Sequence, residues 1–367
     1  MAETIRRSLT LFCCLLLIPI SGWAESIAFL NPGKSTEEFW VSVSRFMQSA
    51  ASDLHVDLDI LYAERDATKM VANARSVLER VHRPDYLIVV NEKQVAPEIL
   101  KMTAGSGIKV FLLLNSISAE QKQALESAGV SLKHLVGSLV PNNEDAGYRM
   151  AKALFNEAQR ALPARPDGSR QLIAIAGNKA TPASAEREAG LRRALAEHPE
   201  IQLTQIVYGE WNQQRARAQT DVLLTRYPEA RLVWAANDLM AFGAIQAAEA
   251  KNLLPGKNIL FAGLNNSRQA MQDRLSGRLS VLAAGHFTAG GWAVVMIHDF
   301  HAGKDLDKAG GRDRRDPLFA IIDARQAKQF IERFDGQRIP EVDFRQFSLT
   351  HAPKSREYHF SLLPLLK

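Results

Sequence analysis

Two cysteines occur in the 367 residues, and both, Cys13 and Cys14, lie in one N-terminal apolar run. The rest of the chain has none. Its fold therefore uses no disulfide, and thiol catalysis and cysteine-ligated zinc are excluded there. Phosphate-cradling glycine patterns are missing too: neither G-x-G-x-x-G nor G-x-x-x-x-G-K-[ST] occurs, and the turn Asn31–Pro32–Gly33–Lys34–Ser35 carries a single glycine. There is no G-x-S-x-G nucleophile elbow. After the first run no segment approaches the ~18 apolar residues of a membrane span. A formal charge of +5, spread along the chain, gives nucleic acid no patch to bind.

What is present begins with a leader. Arg6 and Arg7 precede the apolar run Leu9–Ile20, and Gly22 and Ala24 are small residues at the −3 and −1 positions of a cut. A charged region, a short apolar region and a small-residue site predict a cleaved signal over 1–24 and export to the periplasm. No cysteine stands at the cut, so no lipid anchor is expected.

Downstream, short apolar runs alternate with helical patterns. Strands are predicted at Ser26–Leu30, Asp57–Tyr62, Tyr86–Val90, Lys109–Leu114 and His134–Leu139. The helices between them include Glu37–Leu54, with Phe39, Val43, Phe46 and Ala50 at helical spacing. The pattern restarts after Asn142, with strands at Gln171–Ala176, Gln202–Val207, Leu232–Ala235, Asn258–Ala262 and Leu279–Ala283. Such βα alternation predicts an α/β protein of two doubly wound parallel-sheet lobes. Lys304–Pro317 reads as an exposed loop. In the tail, Phe344–Leu349 and Tyr358–Leu363 read as edge strands or a clasp. With two open sheets, the cleft between their carboxyl ends is the expected site.

Candidate chemistry is sparse. His298 and His301 sit three apart on a helix, where a helix C-terminus attracts histidine without a metal. Glu37–Glu38 and Glu144–Asp145 open helices and complement the dipole. No cofactor, metal or catalytic set is predicted, and the chain reads as no enzyme.

Specific segments resemble the type I periplasmic sugar-binding proteins of the ribose-binding group. These are the opening strand followed by Glu38–Phe39–Trp40, the stretch Ala183–Leu191 with Arg187 three residues before Gly190, and Asn237–Asp238 followed by Met240, Ala241, Gly243 and Ala244. The N-terminal half is most similar to the branch that receives the autoinducer-2 signal, through Phe39–Trp40–Val41, Asp85–Tyr86–Leu87–Ile88 and the strand ending at Asn115. The resemblance covers about residues 25–335. It implies a hinged pair of lobes: 25–139, completed by about 286–317, and 140–285, completed by about 318–340, with a tail over 341–367.

The resemblance also implies ligand contacts. Phe39 and Trp40 would pack on the apolar face of a sugar, although Phe39 equally fits the core stripe. Asn91 and Asn115 would offer donors and acceptors to hydroxyls, unless they only close strand-end turns. Arg187 would fork onto ligand oxygens. Trp211 would supply the second lobe's aromatic, Asn237 and Asp238 would contact the ligand or cap a helix, and Asn265 completes the set. Where the family often has an Asp-Arg pair this chain has Leu114–Asn115; where it has an aromatic-Asp step this chain has Leu264–Asn265. A Gln or Arg is absent near Gly285, where His286 could substitute. A less charged pocket follows.

The implied function is capture of a small sugar-like molecule by hinge closure and delivery to the permease of an ABC importer, the protein acting as a monomer. The alternative is a sensory receptor that presents its ligand state to a membrane signalling protein.

Overall fold

A computed structural model describes residues 25–334, 339, 341–352 and 356–367. The predicted leader 1–24 and the start of the tail at Pro340 lie outside them. The first sheet contains β1 (Ser26–Asn31), β2 (Asp57–Tyr62), β3 (Tyr86–Val89), β4 (Lys109–Leu113), β5 (Leu135–Pro141) and β11 (Asp313–Asp316), in the order β2-β1-β3-β4-β5-β11. The second contains β6 (Arg170–Ala176), β7 (Ile201–Tyr208), β8 (Leu232–Ala235), β9 (Leu260–Leu264), β10 (Val281–Ala284) and β12 (Ala320–Ile322), in the order β7-β6-β8-β9-β10-β12. The chain passes between the sheets three times: after β5, after β10 and between β11 and β12.

The central strands are buried on both faces, which is why they read as unbroken apolar runs rather than alternations. Pairing is parallel except for β12, which runs antiparallel to β10. A return from the last crossing reaches that edge only in this direction.

Among the described residues eleven α-helices cover the sheets. α1 (Glu38–Asp53) buries Trp40, Val43, Phe46, Met47 and Ala50 along one stripe. Phe39 lies off that stripe, half-buried at its edge. α2 (Ala67–Leu78), α3 (Ala96–Thr103) and α4 (Ala119–Ser127) complete the helices before the first crossing. At that crossing Asn142 caps α5 (Asn143–Ala161), its Oδ1 accepting from Asp145 N at 3.0 Å. α6 (Pro182–Ala196), α7 (Gln213–Arg226), α8 (Asp238–Glu249) and α9 (Arg268–Ser276) belong to the second half. α10 (Ala289–His301) returns to pack on α1, and α11 (Ala324–Arg333) packs on α9. Among the described residues no helix is long and apolar enough to cross a membrane.

One sequence expectation needs correction, and another is decided between its two alternatives. The segment 304–317 is not all loop, because Asp313–Asp316 pairs in parallel with β5. Asp313 accepts from Ser138 Oγ at 3.0 Å, and Arg314 meets Asp316 at 3.1 Å. A strand of four charged residues carries no apolar signal, and its position at a sheet edge is where charge is tolerated. Among its described residues the tail forms no strands. Phe344–Phe347 is a 3₁₀ turn, and the tail clasps the face of α10 instead. Its Phe344, Phe347 and Phe360 surround Trp292 with ring centroids 4.7–5.6 Å away. Its backbone bonds go to Asp299 rather than to a sheet edge: Leu349 N and Thr350 N donate to that carboxylate at 2.8 and 2.9 Å.

Candidate ligand site in the interlobe cleft

A cavity opens between the carboxyl ends of the two sheets, with about 480 Å³ of space between its walls, mouth included. Every wall residue follows a strand end or a crossing. Arg65, Leu114, Trp211 and Asn265 line it with positive φ (65°, 64°, 58° and 140°). Such backbone is costly for non-glycine residues and gathers where side chains must be aimed.

Each lobe presents an indole beside a guanidinium. In the first lobe the end of β1 sets Trp40. Asn31 Nδ2 donates to Trp40 O and to Ser44 Oγ, while Asn31 Oδ1 accepts from Gly33 N. A Cβ on Gly33 would overlap the indole, so the glycine is what lets Trp40 lie against the turn. The Arg65 guanidinium sits 5.8 Å from the Trp40 ring centre. In the second lobe Trp211 lies on Gly177 in the same way, and the Arg187 guanidinium is 5.8 Å from its ring centre.

The two arginines differ in their company. Arg65 is held by two carboxylates, Glu37 through Nε at 2.9 Å and through Nη2, and Glu92 at 3.2 Å. Burial works against its charge, but the paired carboxylates outweigh that and hold its pKa above the ordinary value. Burial pushes the Glu92 carboxyl up, and Arg65 opposes this. Among the described residues Arg187 contacts no carboxylate: Nε donates to Asn143 Oδ1 at 3.0 Å, Nη1 to Ala236 O at 2.8 Å, and Nη2 lies 3.5 Å from His286 Nε2. Burial lowers its pKa to about 10. His286 is held well below its ordinary value by burial and by Arg187, so it is neutral. Its ring stacks on Phe39 at 4.4 Å and tilts against Phe319 at 4.7 Å.

The lobes touch across the cleft. Thr181 Oγ1 donates to Glu92 Oε1 at 3.0 Å, Ala183 N donates to Asn115 Oδ1 at 3.1 Å, and Arg315 pairs with Glu186 at 2.6 Å.

Of the residues singled out in the sequence, Phe39, Trp40, Asn115, Arg187, Trp211, Asn237 and Asn265 line the cavity together. Asn91 and Asp238 do not. Asn91 sits behind the wall rather than at the rim: its Nδ2 donates to Ser116 O and Gln121 Oε1, and its Oδ1 accepts from Ala96 N. Asp238 is buried at the start of α8, accepting from Leu239 N and from Asn265 Nδ2 at 2.8 Å, so it orients Asn265. Glu37, Arg65, Glu92, Asn143 and Thr181 also line the cavity without being sequence candidates for ligand contact. Glu37, expected to complement a helix dipole, pairs with Arg65. A Pro-Gly turn that brings the end of β1 onto the start of α2 was the available signal for the Glu37–Arg65 pair. His298 meets Glu25 and His351, His301 meets Tyr86, and no group of described residues could hold a metal ion.

Asp238 gives a pH prediction. Burial lifts its pKa to about 6 against an ordinary 3.8, with three hydrogen bonds opposing the rise. A raised carboxyl stabilises the fold while protonated, and that contribution is lost as pH rises from about 4 through about 6. Two units correspond to about 3 kcal/mol. Urea unfolding of wild type and Asp238→Asn at pH 4 and pH 7 should show wild type losing about that much relative to the variant at the higher pH. A difference independent of pH would refute the assignment.

Comparison with known proteins agrees with this architecture. A family model described as a periplasmic binding protein domain matches residues 27–305. A crystal structure of a periplasmic sugar-binding protein from Pseudomonas fluorescens is 47% identical, with a TM-score of 0.85, over 94% of this chain and 100% of that one. The ribose import binding protein of Salmonella typhimurium is 24% identical over 248 residues, 67% of this chain and 74% of that protein. The D-apiose import binding protein of Paraburkholderia graminis is 22% identical over 260 residues, 70% of this chain and 76% of that protein. With two parallel sheets facing a cleft, and a family match over most of its length, this chain belongs to the periplasmic binding protein domain family.

Proposed function

We propose that this chain is a periplasmic solute-binding protein that closes its two lobes on a small sugar or sugar-like molecule and delivers it to an ABC importer. The observation that carries the reading is the facing pair of Trp–Arg sets, one from each lobe, on a cavity at the carboxyl ends of both sheets. Flat indoles suit the C–H faces of a sugar ring, and planar amides and guanidinium groups suit its oxygens. Contacts from both lobes mean that the ligand favours the closed form by its differential affinity. The importing and sugar-binding relatives point the same way. The predicted leader at 1–24 supports export, and the protein acts as a monomer and catalyses no reaction.

Thermal unfolding of the protein purified from the periplasm of an expressing bacterium, against a panel of sugars, tests this. A ligand at about 100 times its Kd should add about 2.7 kcal/mol. Trp40→Ala and Asn237→Ala should each abolish the shift at the same concentration. Silence across the whole panel, or turnover of any sugar, would overturn the reading.

A further inference from the structure

The hydrogen-bonding groups left free on the cavity wall are mostly donors. The protein itself fixes how its amides point. Asn115 Oδ1 is taken by Ala183 N and Asn237 Oδ1 by Met240 N, and a backbone N–H can meet only an oxygen. Asn143 has its oxygen on Arg187 and its Nδ2 on Pro141 O. Both N–H donors of Asn115 and Asn237 are thereby turned away from those backbone partners, and each oxygen keeps one lone pair. Arg187 has five N–H donors and places three of them, at most, on the protein. His286 Nε2 faces a guanidinium that can only donate, so the ring proton sits on Nδ1. Nδ1 is buried without a partner, as are the indole nitrogens of Trp40 and Trp211. The carboxylates on the wall, Glu37 and Glu92, are the main acceptors there, and Arg65 takes both Glu37 oxygens and Glu92 Oε1. Asn265 Oδ1 is the exception among the amides, since its Nδ2 is spent on Asp238.

A neutral sugar brings hydroxyls that must donate as well as accept. A wall of N–H groups leaves many of those protons without partners, which is costly once water is excluded. Arg187 is 5% exposed and makes no ion pair among the described residues, although Glu186, Glu92 and Asp238 act on its charge from farther away. A buried cation without a contacting counter-charge calls for one. We infer that the ligand is a small sugar acid, whose carboxylate sits on Arg187 with the Nδ1–H of His286 and the free amide N–H groups beside it. This deepens the binding-protein reading above and rests on it.

The test is isothermal titration of the full periplasmic protein with matched pairs: a hexuronate against its aldohexose, and a pentonate or hexonate against its aldose, with a sugar phosphate alongside. An acid should bind about 30-fold or more tighter than its neutral partner. Arg187→Gln should remove that preference, and His286→Phe, which keeps the ring stack, should reduce it. Wild type alone decides the main question if either variant fails to fold. A neutral sugar binding as tightly as its acid, or a phosphate binding better than any carboxylate, overturns the inference while leaving the binding-protein reading intact. If no sugar of any kind binds, both fail.

Discussion

Gly147→Val should abolish ligand binding, although residue 147 does not line the cavity. α5 and α6 cross at a pair of glycines. A Cβ on Gly147 would overlap the backbone carbonyl of Arg187, and one on Gly190 would overlap Glu144 O and sit 2.6 Å from Tyr148 N. The neighbours are backbone atoms and cannot rotate away, so the helices must separate. Arg187 rides on that crossing, with its side chain bonded to Asn143, Ala236 and the rim of His286. Overpacking of this kind costs roughly 1–3 kcal/mol, with larger values where backbone must move. A displacement of even about 1 Å in a closely fitted polar site costs on the order of 100-fold. Urea unfolding and titration with the best ligand of the wild type would measure both effects. A Gly147→Val protein that binds normally would show that the crossing does not position Arg187.

Asp299→Ala should release the tail. Asp299 is fully buried on α10 and accepts from Ser348 Oγ (2.6 Å), Leu349 N (2.8 Å), Thr350 N (2.9 Å) and Tyr358 Oη (2.9 Å). Burial and this carboxylate together push the Tyr358 hydroxyl far above its ordinary pKa, so it remains a donor at any physiological pH. Truncation leaves Ser348 Oγ, Leu349 N and Tyr358 Oη without that acceptor, while Thr350 N keeps Ser348 Oγ at 3.1 Å. Breaking a buried charged network costs roughly 3–5 kcal/mol, against about 1 for the single bond lost in Tyr358→Phe. Chemical denaturation should rank the variants in that order, and limited proteolysis should cut within 341–367 of Asp299→Ala first. Equal stability of the two variants would mean that the aromatic packing on Trp292, not the carboxylate, holds the tail.

These two results would also bear on how the site is encoded. The wall has a local part and a long-range part. Trp40, Asn115, Arg187, Trp211 and Asn237 were legible through the resemblance of their segments to the ribose-binding group, and the fold carries those segments to the cleft. Asn91 carried the same signal but turned inward, because Ser116 O and Gln121 lay within its reach. Glu92 had no local signal, and the Glu37–Arg65 pair had only the Pro32–Gly33 turn. Their pairing joins loops after β1, β2 and β3, and only the sheet order brings those three loops together.

By itself the sequence determined the alternation of strand and helix, the α/β class and the absence of a visible catalytic set. Periodicity, caps and apolar runs are short-range properties, and a parallel sheet buried on both faces writes them plainly. Tertiary structure alone decided that Arg65 is neutralised while Arg187 is not, that the Asn115 and Asn237 amide oxygens face backbone N–H, and that the tail is a clasp rather than a strand. Those outcomes depend on which groups meet across the lobes and across the crossings. A hydrogen bond between distant residues leaves no period or spacing in the chain that makes it.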